Sequence, residues 1–170
     1  MSPLHQYAKD GSLVAARSAI ESGIDVNDHD DDGSCPLHYA ARFGRLDIAA
    51  LLLANGADAN SKHLSRGLTP LHVIIGMDGN REPMISQLLN HGADPNAADC
   101  DGRTPLHHLM RLLRTSGQEK MLGAASLLCR AGADAQMLDR GGDSPMALVL
   151  DAKDASSKPK KYDQIIAIFG

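Results

Sequence analysis

Cys35-Pro36-Leu37-His38, followed by an apolar tract and then Gly56-Ala57-Asp58-Ala59-Asn60, is the stretch that decides the fold. Its opening phrase returns as Ser2-Pro3-Leu4-His5, Thr69-Pro70-Leu71-His72 and Thr104-Pro105-Leu106-His107, with a worn fifth copy at Ser144-Pro145-Met146-Ala147. Its closing phrase returns as Gly23-Ile24-Asp25-Val26-Asn27, Gly92-Ala93-Asp94-Pro95-Asn96 and Gly132-Ala133-Asp134-Ala135-Gln136. Proline to proline, the steps are 33, 34, 35 and 40 residues, the period of a stacked helical array and not of one globular core. Function is therefore to be sought on a surface.

Within one period, apolar residues at Leu37, Ala40 and Ala41, then at Leu46, Ile48, Ala49, Leu51, Leu52 and Leu53, predict two short helices parted near Phe43-Gly44-Arg45. The Ser, Thr or Cys before each proline stands at an N-cap, and proline suits the first helical position. Gly56, Gly92 and Gly132 suit the left-handed closure of the second helix, after which Asp and Asn favour a turn. Turn loops or hairpins are expected over residues 28–34, 61–68, 97–104 and 137–144. With no Trp, two Phe and three Tyr, burial must come from Leu, Ile, Val, Ala and Met, which suits thin stacked helix pairs.

A phrase T-P-L-H followed by G-A-D-x-N at a period of about 33 residues resembles the ankyrin repeat. That resemblance implies an all-α solenoid of stacked helix-turn-helix units with short β-hairpin or turn loops. It frames a single domain over 1–170, with repeats at 1–27, 28–60, 61–96 and 97–136 and a divergent or truncated fifth at 137–170. It also implies that Thr69 with His72, and Thr104 with His107, are structural, and that hairpin tips and first helices form a concave partner-binding face. In animal members an Asn of the closing phrase can be hydroxylated; the matching positions are Asn27, Asn60 and Asn96, which otherwise read as turn residues. Cys35 in place of Thr is expected to weaken the second cap, and Met146 and Ala147 remove the imidazole from the fifth. Ile165, Ile168 and Phe169 align with Ile48, Leu51 and Leu52, so the last helix is expected to be cut short at Gly170.

Charge narrows the surface. The net charge is −4, and Asp supplies 18 of the 21 acids, a balance that suits nucleic acid poorly because phosphate binding needs clustered Lys and Arg. No stretch approaches the ~20 apolar residues of a membrane span, so a soluble chain is expected. Asp28, Asp30, Asp31 and Asp32 make the densest acidic cluster, and Arg66, Asp99, Asp101 and Arg103 stand in the later loops. These eight residues are the candidate partner contacts, and an acidic rim would steer a basic patch or peptide of another protein. The interval from proline to closing glycine grows from 20 residues in repeats one and two to 22 and then 27. The insertions fall between the helices, where Arg111, Arg114, Lys120, Lys153, Lys158, Lys160 and Lys161 make the opposite edge basic. Repeat four is expected to lengthen its first helix, since Leu106, Leu109, Met110, Leu112 and Leu113 continue one apolar pattern.

Catalytic, cofactor and metal sites are not expected. His5, His38, His72 and His107 belong to the repeat phrase, while His29, His63, His91 and His108 lack metal-ligand spacing. The acidic cluster lacks the twelve-residue frame and distal Glu of a calcium loop. No phosphate loop, nucleophile elbow or dinucleotide fingerprint occurs. Cys35, Cys100 and Cys129 form no C-x-x-C pair, which points to reduced thiols in the cytoplasm or nucleus and leaves a host-delivered effector open. The expected function is a non-catalytic protein-interaction module, a scaffold, adaptor or inhibitor; the alternative is a regulatory or substrate-recruiting domain of a larger enzyme. A narrower comparison, with ankyrin-type inhibitors of cyclin-dependent kinases, rests on length and repeat number. Their second repeat has a shortened first helix, whereas Pro36 to Phe43 makes an ordinary one.

Overall fold

The computed structural model describes residues 1–77, 79, 81–113, 119–154, 156 and 162–169, with the side chains of 119 and 120 left aside. Among the described residues helices come in five pairs: α1 Pro3–Asp10 with α2 Leu13–Glu21, α3 Pro36–Arg42 with α4 Leu46–Ala54, α5 Pro70–Ile75 with α6 Glu82–Asn90, α7 Pro105–Leu113 with α8 Glu119–Arg130, and α9 Pro145–Asp154 with α10 Asp163–Phe169. No strand occurs among the described residues. Each expected hairpin is a tight turn whose ends are joined by a backbone bond: Asp30 N to Ser34 O at 3.0 Å, His63 N to Leu68 O at 2.9 Å, Asp99 N to Arg103 O at 2.9 Å and Asp139 N to Asp143 O at 2.9 Å. A second bond lies inside each turn, from Gly33, Gly67, Gly102 and Gly142 N to the O of Asp30, His63, Asp99 and Asp139 respectively.

The chain packs as two compact units, Met1–Asp94 and Pro95–Gly170. In the first, α1, α3 and α5 lie side by side as one layer and α2, α4 and α6 as a second. In the second unit α7 packs on α9 and α8 on α10. The phrase leucines Leu4, Leu37, Leu71 and Leu106 are fully buried at 0% exposure, each contributing roughly 1.5–3 kcal/mol of burial. Met146, in the same position of the fifth repeat, is only half-buried.

Helix ends repeat as strictly as the leucines. Gly56 has φ 85°, Ala57 N donates to Leu52 O at 3.0 Å and Gly56 N to Leu53 O at 3.1 Å, a left-handed closure that satisfies the last carbonyls of α4. The same two bonds close α2, α6 and α8. As expected, α7 is a long first helix with Leu106, Leu109, Met110 and Leu113 buried. The inter-helix insertions of repeats three to five fall largely outside the described residues, including Arg114, Lys158, Lys160 and Lys161 of the expected basic edge; Lys120 is described in backbone only, and Gly170 is not described.

Candidate interaction surface

Two sets of side chains hold the loops, and they decide which residues are free to meet a partner. The first set is the cap. In α1, α3, α5 and α7 the N-cap side chain and the phrase histidine meet through Nδ1: Ser2 Oγ to His5 at 2.9 Å, Cys35 Sγ to His38 at 3.1 Å, Thr69 Oγ1 to His72 at 2.9 Å and Thr104 Oγ1 to His107 at 2.8 Å. The backbone N–H of each cap residue also donates to that Nδ1, at 3.2 Å for Thr69 and 3.1 Å for Thr104. The far nitrogen reaches the next loop: His5 Nε2 to Ser34 O at 2.9 Å, His38 Nε2 to Leu68 O at 2.9 Å and His107 Nε2 to Asp143 O at 3.1 Å. Because a carbonyl only accepts, Nε2 carries the proton and Nδ1 is the acceptor, so a neutral imidazole is required. Burial agrees with this and holds His38 and His107 below the usual imidazole value. Thr69 with His72, and Thr104 with His107, thus meet each other inside these caps.

The second set is the turn carboxylates. Asp30 Oδ1 accepts from the N–H groups of Asp32 at 3.0 Å and Ser34 at 2.9 Å, and Oδ2 accepts from Tyr39 Oη at 2.7 Å. Asp99 repeats the pattern with Asp101 N at 2.8 Å, Arg103 N at 2.9 Å and His108 Nε2 at 2.8 Å. Asp139 does so with Gly141 N at 2.8 Å, Asp143 N at 3.1 Å and Arg103 Nε at 3.2 Å. Burial pushes all three carboxyls up, but these donors outweigh it and hold each below the usual carboxylate value. Tyr39, partly desolvated and facing Asp30, is pushed up to about 12.

The eight candidate contacts therefore divide. Asp30, Asp99 and Arg103 are turned into the frame: the side chains of Asp99 and Arg103 are 6% and 28% exposed, and Arg103 bridges Asp101 and Asp139. Asp28 is half-buried at the start of its loop. Asp31, Asp32, Arg66 and Asp101 project into solvent, Asp101 carrying an ion pair with Arg103 Nη1 at 2.6 Å. In the first unit, tip 28–34 bears Asp31 and Asp32, whereas tip 61–68 bears Lys62, Arg66 and Leu64, which is 75% exposed. The two tips touch: a Cβ on Gly33, whose φ is 78°, would stand 2.2 Å from Leu64 Cγ, so only glycine admits this contact. Asn27, Asn60 and Asn96 each span to the next closing turn. For Asn60, Nδ2 donates to Gly92 O at 2.8 Å and Oδ1 accepts from Asp94 N at 2.7 Å.

Sequence reading missed an aromatic row on α3. Tyr39 and Phe43 stack with ring centres 6.4 Å apart, and His5 of α1 meets Tyr39 edge-on at 5.6 Å. Lys9 Nζ stands 5.9 Å and Arg42 Cζ 6.0 Å from the Phe43 ring centre. Phe43 is 39% exposed. On α5 and just beyond it, Val73 and Met77 occupy the corresponding positions, both half-buried. The signal was present: in a chain so poor in aromatic residues, two of them stand one helical turn apart.

The three cysteines are free thiols, and burial pushes Cys35 and Cys129 up, away from nucleophilic use. Among the described residues no group of His, Cys, Asp and Glu is placed to hold a metal, and no helix is long and apolar enough to cross a membrane.

Comparison with known proteins agrees with this geometry. A model of ankyrin repeats in three copies matches residues 1–63, and a single ankyrin-repeat model matches residues 66–100. The chain is 40% identical over 97 residues to the ankyrin repeat protein FPV031 of fowlpox virus (strain NVSL), covering 56% of this chain and 28% of that one. It is 35% identical over 144 residues to the E3 ubiquitin-protein ligase Ufd4 of Drosophila melanogaster, covering 78% of this chain and 5% of the ligase. It is 30% identical over 136 residues to neurogenic locus notch homolog protein 2 of Homo sapiens, covering 80% of this chain and 5% of that protein. The chain thus spans less than a third of the length of each of these relatives. With the matched phrases also forming the caps, closing turns and inter-repeat bonds just described, the chain belongs to the ankyrin repeat family.

Proposed function

We propose that the chain is a non-catalytic protein-interaction module, a scaffold, adaptor or inhibitor, that holds a partner protein across the first-helix face and loop tips of the unit Met1–Asp94. Ankyrin repeats are protein–protein interaction modules. The observation that carries the reading here is the division between frame and tip. In loop 28–34 the turn N–H groups are taken up by the Asp30 carboxylate, and in loop 61–68 the Ser65 N–H is taken up by His63 Nδ1 at 3.3 Å, while Asp31, Asp32, Leu64 and Arg66 project from a backbone that is held in place. Such a surface loses little conformational freedom on binding. Asp31 and Asp32 favour a basic patch on the partner. The free thiols favour a reducing compartment, cytoplasm or nucleus. The second reading, a regulatory or substrate-recruiting domain of a larger enzyme, draws on the likeness to the ligase Ufd4, of which this chain spans 5%.

Charge reversal of Asp31 and Asp32 to Lys tests the reading, with Asp30 left intact because it builds the loop. In affinity capture with the 170-residue chain, a partner held by the parent is expected to be released by this variant while helical circular dichroism is unchanged. Equal retention by this variant and by a folded Leu64→Ala, Arg66→Glu variant overturns the tip assignment.

A further inference from the structure

We infer that the Phe43 end of the first-helix face takes an acidic segment of the partner protein, one that places an apolar side chain on the Phe43 ring and carboxylates on Lys9 and Arg42. This rests on the first-helix face being the interaction surface, and it adds the chemistry and direction of the bound segment. From the turn 28–34 to the end of α3 the charged groups change sign in order. The Asp30 carboxylate lies at the Tyr39 hydroxyl, the two rings stack, and Lys9 and Arg42 stand over the second ring. The Asp30 carboxylate and the two cations therefore flank the stacked pair of rings from opposite ends.

Neither cation is spent inside the unit. Among the described residues no carboxylate lies within 4.0 Å of Lys9 or Arg42. The nearest acid on α1, Asp10, accepts from Gln6 Nε2 at 2.7 Å, and Asp47, in the first turn of α4, forms no ion pair with either. Arg45 adds a third positive charge, with Nε donating to Lys9 O at 3.0 Å. This bond ties the end of α1 to the start of α4 and fixes where Lys9 emerges. A ring flanked by unpaired cations repels a basic segment, and a purely apolar one would strand the cations as water is expelled. A segment bearing Asp or Glu next to a large apolar residue meets both needs, and the attraction of cation to ring grows as the site is desolvated. The tip then takes the opposite, basic end of the same segment.

The test is selection of random twelve-residue displayed peptides on the full 170-residue chain, followed by fluorescence anisotropy with one enriched peptide made synthetically. Enriched peptides are expected to carry Asp or Glu within three residues of an aromatic or large aliphatic residue. Binding is expected to weaken at least tenfold in the Lys9→Glu, Arg42→Glu variant and in Phe43→Ala, and to survive Lys9→Arg. Both cations are exposed, so the charge variant reports even if Phe43→Ala folds poorly, with the unfolding midpoint as the check. Neutral or basic enriched peptides, or binding unmoved by the charge variant, overturn the inference. If such binding is still lost in Asp31→Lys, Asp32→Lys, the loop tip of the proposed surface stands and the acidic ligand at Phe43 falls. Peptides indifferent to both variants, or no enrichment, overturn both.

Discussion

Repeats two and four are built on one plan with different atoms. In repeat two the turn carboxylate Asp30 is closed by a phenol, Tyr39, and the cap pairs a thiol, Cys35, with His38. In repeat four the carboxylate Asp99 is closed by an imidazole, His108, and the cap pairs a hydroxyl, Thr104, with His107. Donor–acceptor distances at the carboxylate differ little, at 2.7 and 2.8 Å. Geometry is therefore the conserved quantity within this molecule, and the chemistry supplying it is free to vary, which gives each repeat its own sensitivity to substitution and pH.

Removing the cap histidine is expected to have the largest effect and to equalise the two repeats. His38 and His107 are 3% and 0% exposed, and each satisfies the cap N–H and a carbonyl of the next loop. Alanine at either leaves several buried polar groups without partners, at a cost of about 3 kcal/mol, read from urea unfolding. The same two groups set the first step of the acid profile. Their folded values lie below the ordinary imidazole value of 6.5, so the unfolded chain binds protons first. This contribution is full above the unfolded value and is lost as pH falls towards the folded one. A second loss follows below the ordinary carboxylate value of 3.8, where Asp30, Asp99 and Asp139 take up protons. The unfolding temperature is expected to fall from pH 7 to pH 5, and a profile flat over that range would contradict the neutral imidazoles.

The paired substitutions Asp30→Asn and Asp99→Asn sharpen the comparison at the turn. Asparagine keeps an oxygen for the two backbone N–H groups in either loop but removes the charge. Opposite Tyr39 that loses one charge-assisted hydrogen bond, roughly 1 kcal/mol. Opposite His108 it loses the same kind of bond, from the imidazole Nε2 at 2.8 Å, again roughly 1 kcal/mol. Measured by urea unfolding at pH 7, the two variants are expected to lose similar amounts, as the matched geometry requires. A much larger loss in one variant would show that phenol and imidazole do not serve the turn carboxylate equally.

How much of this was legible in the sequence follows from the same distinction. The repeat frame, the caps, the closing glycines and the long α7 all rest on residues whose spacing alone implies their role. The acidic tips were harder, because Asp30 and Asp31 are the same residue type one position apart, yet one is turned onto backbone N–H groups and the other into solvent. What separates them is register: Asp30, like Asp99 and Asp139, stands six residues before the phrase proline, where its carboxylate meets the loop N–H groups. The Phe43 cluster was hidden for a different reason, since Lys9 reaches it from the neighbouring helix, across a whole repeat.

The smallest expected effect concerns Cys35. A thiol is a weak donor, and its contact with His38 Nδ1, at 3.1 Å, is longer than the 2.8 Å made by Thr104 Oγ1. Cys35→Thr is expected to stabilise the chain by about 0.5 kcal/mol, seen as a small rise in the urea midpoint. The extra methyl has precedent within the molecule, since Thr69 and Thr104 hold the same position at 1% and 0% exposure. Cys35→Ser removes the packing question by supplying the hydroxyl without the methyl, and Cys35→Val supplies the bulk without the donor. If Thr and Ser stabilise and Val destabilises, the donor atom governs the cap. If Val matches Thr, the sulfur in repeat two is a packing choice, and the imidazole holds that cap through the Cys35 backbone N–H, 3.2 Å from Nδ1.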